Sequence, residues 1–158
     1  MKHIQMTKGY IALVDDEDFE LVSCRKWYPF VPLRAAMDTV YAYDRNGILM
    51  HRLIMNPEKG IQVDHRNHNG LDNTRKNLRL CTSSQNHGNI RNLYKTDKSK
   101  SVYKGVDWSM SHSRWRARIA NKHIGRFREE IEAAKAYDRA ALAMFGEFAN
   151  LNFPVDKP

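Results

Sequence analysis

Cysteine is scarce in this chain of 158 residues: there are two, Cys24 and Cys81, far apart and in no CxxC pair. Zinc ribbons and zinc fingers draw their ligands from paired thiols at short spacing, so both classes lack their thiols here. The two cysteines read as buried or inert thiols in a reducing compartment. Long apolar runs are missing as well. No stretch approaches the roughly 18 apolar residues of a membrane span. The N-terminus "MKHIQMTKGY" has no apolar signal-peptide core. Neither membrane insertion nor export is expected, and the default location is cytoplasmic. No internal repeat is visible.

Acid is the third shortage, and it is local. Residues 1–60 balance their charges, residues 61–100 carry net +5, and residues 101–158 carry net +3, for a total of +8 and a pI near 9.6. A positive field confined to the C-terminal two thirds favours a polyanionic partner, because each Lys or Arg beside a phosphate releases condensed counterions. A composition 42% hydrophobic and 28% charged is that of a soluble protein, which excludes disorder throughout. The length fits one ordinary domain or two small ones.

Residues 1–60 read as a small α+β unit. "YIALVD" has strand character, and "DDEDFELVSCRKW" sets acids in the first turn of a helix and bases in the last, with Asp15 or Asp16 as N-cap. "FVPLRAAM" and "TVYAYD" are β-like, and Asn46-Gly47 is a turn signal. "ILMHRLIM" is a short apolar segment with His51 and Arg52 exposed on it, His51 being a surface or packing residue, and Asn56-Pro57 stops it. A basic, almost apolar-free linker is expected at 91–101.

The most polar stretch is "VDHRNHNGLDNTRKNLRLCTSSQN", Val63 to Asn86. Asp64 and His65 end a β-run, so their side chains leave opposite faces. "RNHNGLDNTRK" is dense in turn formers and reads as a structured loop; "NLRLCT" restores strand character, and Thr82 or Ser83 can cap a short helix carrying Asn86. Strand, loop, strand and helix bring residue 86 back beside 64 and 65. Asp64-His65, Asn77 twelve residues beyond the His and Asn86 twenty-one beyond it resemble the HNH nuclease motif of phage and intron homing endonucleases. That resemblance implies a ββα-metal module over 61–90 with one Mg²⁺, or Mn²⁺, per active site. It makes His65 the general base, Asp64 and Asn86 the metal ligands, and Asn77 the residue that ties down the loop. His68 stands where this variant usually has Gly, and both His68 and His87 read as loop or surface residues.

From Ser101 to Arg128 there are seven Lys and Arg against one acid, Asp107. "YKGVDW", "RWRARIA" and "HIGRFR" read as three short strands, and the period-two alternation of "RWRARI" sends Arg114, Arg116 and Arg118 to one face and Trp115, Ala117 and Ile119 to the other. An Ala-rich helix from about Glu129 to Phe145, ended by Gly146, covers the apolar face, with Phe148, Leu151 and Phe153 packed beneath. "YKGVDW", "RWRARI", "IGRF", "EAAKAYDRAA" and "NFP" resemble the AP2 DNA-binding domain over 102–154. By position that resemblance makes Arg114, Arg116, Arg118, Arg126 and Trp108 DNA contacts, with Lys104 and Arg128 on phosphates.

Together these readings give an α+β chain that acts on double-stranded DNA as a metal-dependent endonuclease, in the host cytoplasm if phage-encoded. A monomer that nicks and a homodimer that cuts both strands are equally open. The alternative is a non-catalytic DNA-binding regulator with a structural HNH fold. An RNA-binding module is a third class.

Overall fold

Turn formers punctuate the sequence closely, and the computed structural model, which describes residues 1–32, 39–90 and 101–154, accordingly builds strands of only four or six residues. Backbone contacts divide the chain into two compact units, Met1–Asn86 and His87–Pro158. Both are mixed α+β, and every strand pairing between named strands is antiparallel. Among the described residues no helix is long and apolar enough to cross a membrane.

In the first unit β1 (Lys2–Gln5) pairs with β2 (Ile11–Val14), the short helix α1 (Phe19–Ser23) follows, and β3 (Trp27–Phe30) pairs with β4 (Tyr41–Asp44). Helix α2 (Met50–Met55) leads into β5 (Gln62–His65), which pairs with β6 (Leu78–Cys81), and α3 (Ser83–Asn89) begins in this unit and ends in the second. One core joins these pieces: Val14, Val22, Trp27, Met50, Val63 and Leu78 are buried together. Full burial of each aliphatic side chain contributes about 1.5–3 kcal/mol. The Trp27 indole N–H donates to the Val22 carbonyl at 2.8 Å, so the largest core residue leaves no orphaned donor.

Two expectations change here. The acidic run does not open a long helix: Asp16–Asp18 form a single 3-10 turn before α1, and no acid there caps it. The acids have a stronger partner. Asp15 Oδ2 accepts the Arg75 amide at 2.7 Å, Asp18 takes the Arg75 guanidinium at 2.7 and 2.9 Å, and Glu17 adds a contact at 2.8 Å. "ILMHRLIM" folds as α2, and helical spacing turns His51 inward with Met50 and Ile54 while Arg52 stays exposed; His51 is buried rather than exposed. Of "FVPLRAAM", Phe30 ends β3, whereas residues 33–38 lie outside the described residues, as do residues 91–100 of the expected linker.

In the second unit β7 (Val106–Ser109), β8 (Arg114–Ile119) and β9 (Lys122–Phe127) form one sheet in sequence order. Ala120 and Asn121, both at positive φ, make the two-residue β8–β9 turn, a geometry that suits the right-handed twist of the strands. Helix α4 (Glu130–Phe145) lays Ala133, Ala134 and Ala136 against Val106 and Ala117, with Trp115, Ile124 and Phe127 around them. The small side chains permit close approach. Gly105, at φ 73°, is required twice over, since a Cβ there would enter the Tyr137 ring and meet the Arg118 carbonyl.

The tail is tied down by a buried acid. Asp138 on α4 accepts the amides of Asn152 and Phe153 at 2.8 and 2.9 Å and the Asn152 side chain at 3.0 Å. Phe148 is buried, but Phe153 remains 37% exposed with its ring 5.2 Å from that of Tyr103. Its backbone, more than its ring, is what the fold holds.

Asp138→Ala should cost about 1–3 kcal/mol, because partly buried donors lose their shared acceptor; a lower urea midpoint and lost exchange protection at Asn152 and Phe153 would register it. The same unit should be most stable near pH 10. Burial pushes Lys104 down to about 8, against the pull of Asp138, so between pH 8 and 10.5 the unfolded chain holds a proton that the folded chain lacks and stability rises. Burial, then Asp138, pushes Tyr137 up to about 12, so above pH 10 the folded chain holds the extra proton and stability falls. Thermal melts of the full chain from pH 8 to 11 should show this maximum, with Lys104→Met flattening the rising limb and Tyr137→Phe the falling one.

Candidate functional site

The β5–β6 connection is a chain of local side-chain-to-backbone bonds. Asn67 Oδ1 accepts the amide of Asn69 at 2.8 Å, Asn69 Oδ1 that of Leu71 at 3.1 Å, and Asp72 Oδ1 accepts the Thr74 amide and hydroxyl at 3.3 and 2.8 Å. Such Asx turns let a polar loop hold shape without regular structure. Asn77 closes it, accepting the Asn67 amide at 3.0 Å and donating to the Asp72 carbonyl at 2.7 Å. The loop is also strapped to β2, where Leu13 donates to Leu71 and accepts from Asn73, both at 2.8 Å. His68 adopts φ 62°, the left-handed region that favours glycine, at a cost of about 1–2 kcal/mol for an L side chain. At Gly70 a Cβ would lie 2.5 Å from the Val40 carbonyl oxygen and 2.6 Å from the Tyr41 ring, so the loop must pass there without a side chain.

Strand alternation separates the two residues at the end of β5. On one face Asp64 stands directly opposite Arg79, whose Nε and Nη2 donate to Asp64 Oδ2 at 2.8 and 2.7 Å, both residues being about 6% exposed. Gln62, on that same face, accepts Asn86 Nδ2 at 2.7 Å and so draws α3 to the Asp64 side. Thr82 begins α3 with a reciprocal cap: its hydroxyl accepts the Gln85 amide at 3.3 Å while Gln85 Oε1 accepts the Thr82 amide at 2.8 Å. Asn86 is partly buried, and its neighbour His87 is exposed.

On the other face His65 is buried in an aromatic cluster. Its ring meets that of His51 edge-on at 4.9 Å and 84°, and both imidazoles lie 5.6 Å from Tyr41. Burial lowers the His65 pKa, opposed by Asn73, Asp64 and Asp72. Burial, with His65 and Arg52 adding to it, pushes His51 down to about 3, and burial followed by Asp64 raises Tyr41. The cluster is therefore a set of neutral rings at pH 7. His51 and Tyr41 were not singled out from the sequence for this position, and neither were Arg79 and Gln62. The helical period of α2 signals the first, but the others depend on strand register.

The available donors suit a hard cation better than a soft one. Asp64 and Asn86 offer a carboxylate and an amide oxygen on one side of the hairpin, the ligand type that Mg²⁺ and Mn²⁺ take. Cys81 lies opposite Gln62, but burial and Asp64 push its thiol up, away from the thiolate a zinc site needs. Asp15, Glu17 and Asp18 also bring carboxylates within 4.8 Å of one another, and there Arg75 supplies the positive charge.

In the second unit cross-strand register puts Asp107, Arg116 and Arg126 in one row and Trp108, Trp115 and Phe127 in the next. Alternation sends these rows to opposite faces, so Trp108 shares the helix-covered side with Trp115, its ring 5.1 Å away, and does not stand among the arginines. Arg114, Arg116 and Arg126 share the outer face; Arg118 follows a register shift at Ala117/Arg118 and is exposed beside Asp107. Arg128 is exposed just past β9. Lys104 turns inward instead, its ammonium donating to the Gly88 carbonyl at 2.9 Å.

Residues 49–87 match the family model for HNH endonucleases. The chain is 32% identical over 155 residues to an uncharacterized HNH endonuclease of Acanthamoeba polyphaga mimivirus, covering 92% of this chain and 76% of that protein. It is 33% identical over 95 residues to Protein 3.8 of Escherichia phage T7, covering 58% of this chain and 75% of that one. A further stretch of 63 residues is 43% identical to an AP2-like ethylene-responsive transcription factor of Arabidopsis thaliana, of which the chain spans 11%. No solved structure matches. The matched segment encloses Asp64, His65, Asn77 and Asn86, and the viral relative is covered over three quarters of its length: the chain belongs to the HNH endonuclease family and also carries an AP2-like segment.

Proposed function

We propose that this protein is a metal-dependent, homing-type DNA endonuclease. The observation that carries the reading is the pleat at the end of β5, which puts a buried neutral imidazole on one face of a hairpin and an acid on the other, within the segment matched to the HNH family. His65 is the general base. A neutral ring accepts a proton from water, and the walls of Tyr41 and His51 limit the solvation of the imidazolium that forms. Asn77 holds the loop that follows His65 by its bonds to Asn67 and Asp72. Asp64 and Asn86 would hold the divalent cation, in a ββα-metal arrangement of β5, β6 and α3. Such an ion, when bound, neutralises charge at the scissile phosphate and the leaving oxygen. Arg79 fixes the Asp64 rotamer, and Gln62 orients the Asn86 amide.

The AP2-like sheet is the DNA-reading surface in this proposal. An antiparallel sheet fits a major groove about 12 Å wide, and arginine paired with guanine is the commonest specific contact. Arg114, Arg116, Arg118 and Arg126 face outward for that purpose, and Arg128 is placed for phosphate. Lys104, bonded to Gly88, serves the unit's own structure.

The decisive test is cleavage of plasmid DNA with Mg²⁺ or Mn²⁺. His65→Ala should lose at least about 100-fold in rate, the usual contribution of a general base, while still shifting DNA in EDTA. Asp64→Asn is the variant to pair with it, because alanine would strand the buried Arg79 charge at a cost of about 3–5 kcal/mol; it should lose metal-stimulated cutting. Wild-type cleavage no faster than that of His65→Ala, with binding intact, would instead identify a DNA-binding regulator, and a preference for RNA in competition would identify an RNA-binding module.

Binding should divide the arginines. On a duplex selected by the protein, Arg126→Ala should weaken binding by about 1–3 kcal/mol and relax discrimination at one position. Arg128→Ala should weaken all duplexes alike and reduce the salt slope by about one. Titrations at several salt concentrations, in EDTA, read both.

A further inference from the structure

The only acid among the eight charged side chains of residues 101–128 stands on the arginine face. Asp107, on β7, is the cross-strand partner of Arg116, which is in turn the partner of Arg126 on β9. Its carboxylate receives two arginines at once: Oδ2 accepts Arg116 Nη2 at 2.6 Å, and Oδ1 accepts Arg116 Nε at 3.3 Å and Arg118 Nε at 3.1 Å. Arg118 reaches it from the position where the β8–β9 register shifts, and bulges of this kind re-aim the side chain they carry.

We infer that Asp107 is a positioning and specificity-determining residue, which holds Arg116 and Arg118 in fixed orientations for recognition of base edges. The inference rests on the reading of this sheet as the DNA-binding surface. A guanidinium has five N–H donors in a rigid fork. Asp107 takes the Nε–H of both arginines and one Nη2–H of Arg116, and so leaves the far ends of the two forks to face outward. Two cations on one small face repel each other, and a long unbraced side chain must be immobilised on binding. A shared acid offsets the repulsion and orders both arms beforehand. The same charge also opposes phosphate, so Asp107 weakens indiscriminate binding while it favours one arrangement of acceptors.

The test uses the full chain in EDTA with two duplexes, one selected by the wild type from a randomised pool and one a scrambled version of it. Asp107→Asn keeps the shape but cannot accept a two-pronged guanidinium. It should bind the scrambled duplex more tightly than wild type, with a salt slope steeper by about one charge, and its preference for the selected duplex should fall about ten-fold, within the range of one bidentate base contact. Asp107→Glu, which retains the charge and both oxygens, should recover most of that preference. The inference is overturned if Asp107→Asn changes the salt slope but keeps the wild-type preference, or if Asp107→Glu is no better than Asp107→Asn at an unchanged melting temperature. A wild type that selects no sequence, together with an Arg126→Ala protein that binds as well as wild type, would remove the reading of the sheet itself and the inference with it.

Discussion

Successive side chains on a β-strand leave opposite faces, and at Asp64-His65 this constraint organises the first unit. One residue must meet a polar environment and the next an apolar one. Arg79, opposite Asp64 in the β6 register, supplies the first, and Tyr41 with His51 supplies the second. Each neighbour must itself be held. Arg79 requires the hairpin register, which the loop sets through Asn77, and the loop is fixed in turn by β2 and by the acids around Arg75. The N-terminal residues therefore act as a scaffold for the loop, and the buried α2 supplies the wall behind the imidazole.

Much of this was legible because it is local. The opposite faces of Asp64 and His65 follow from period two, the Thr82 cap from its Gln85 partner three residues on, and the turns of the loop from its Asn and Asp residues. The rest is long-range. Asp15 and Asp18 look like helix-capping acids until the fold brings Arg75 to them from 57 to 60 residues away, and several charge-assisted bonds to one half-exposed arginine outcompete a single cap. His51 sits in a run whose hydrophobicity fits a strand or a helix equally well, and only the helix turns it inward. His68 at positive φ shows why a glycine commonly serves there, yet its dihedral is fixed by the loop's hydrogen bonds and not by its own preference.

The second unit applies the same alternation to a different end. Its arginine row was visible in "RWRARI", but two of the residues grouped with it belong elsewhere. Trp108 follows Val106 by two and must share its face, and Lys104 lies before Gly105, where the backbone turns the ammonium toward Gly88. Asp107 was visible as the lone acid in a basic stretch. Its partners became legible only when β7 was set beside β8, since register decides which two of seven cations it meets.

Buried acids in the two units are satisfied by different chemistry. In the first, Asp18, Asp44 and Asp64 each meet an arginine, Arg75, Arg25 and Arg79 respectively. Only Asp64–Arg79 is buried on both sides; desolvation offsets most of the Coulomb gain there, so the pair contributes little net stability, yet losing one partner costs about 3–5 kcal/mol. That asymmetry makes it a registry device. Asp44 also accepts the amides of Asn46 and Ile48 at 2.9 Å, so its pair with Arg25 fixes the turn before α2, and hence the placement of His51. In the second unit the buried Asp138 is held by amide donors of Asn152 and Phe153 and requires no arginine. Its arginines are left to the outer face of the sheet, where the partly buried Asp107 pairs with two of them, Arg116 and Arg118, without burying either. The first unit thus commits guanidinium groups to fixing a loop and a hairpin, whereas the second keeps them on the outer face of its sheet.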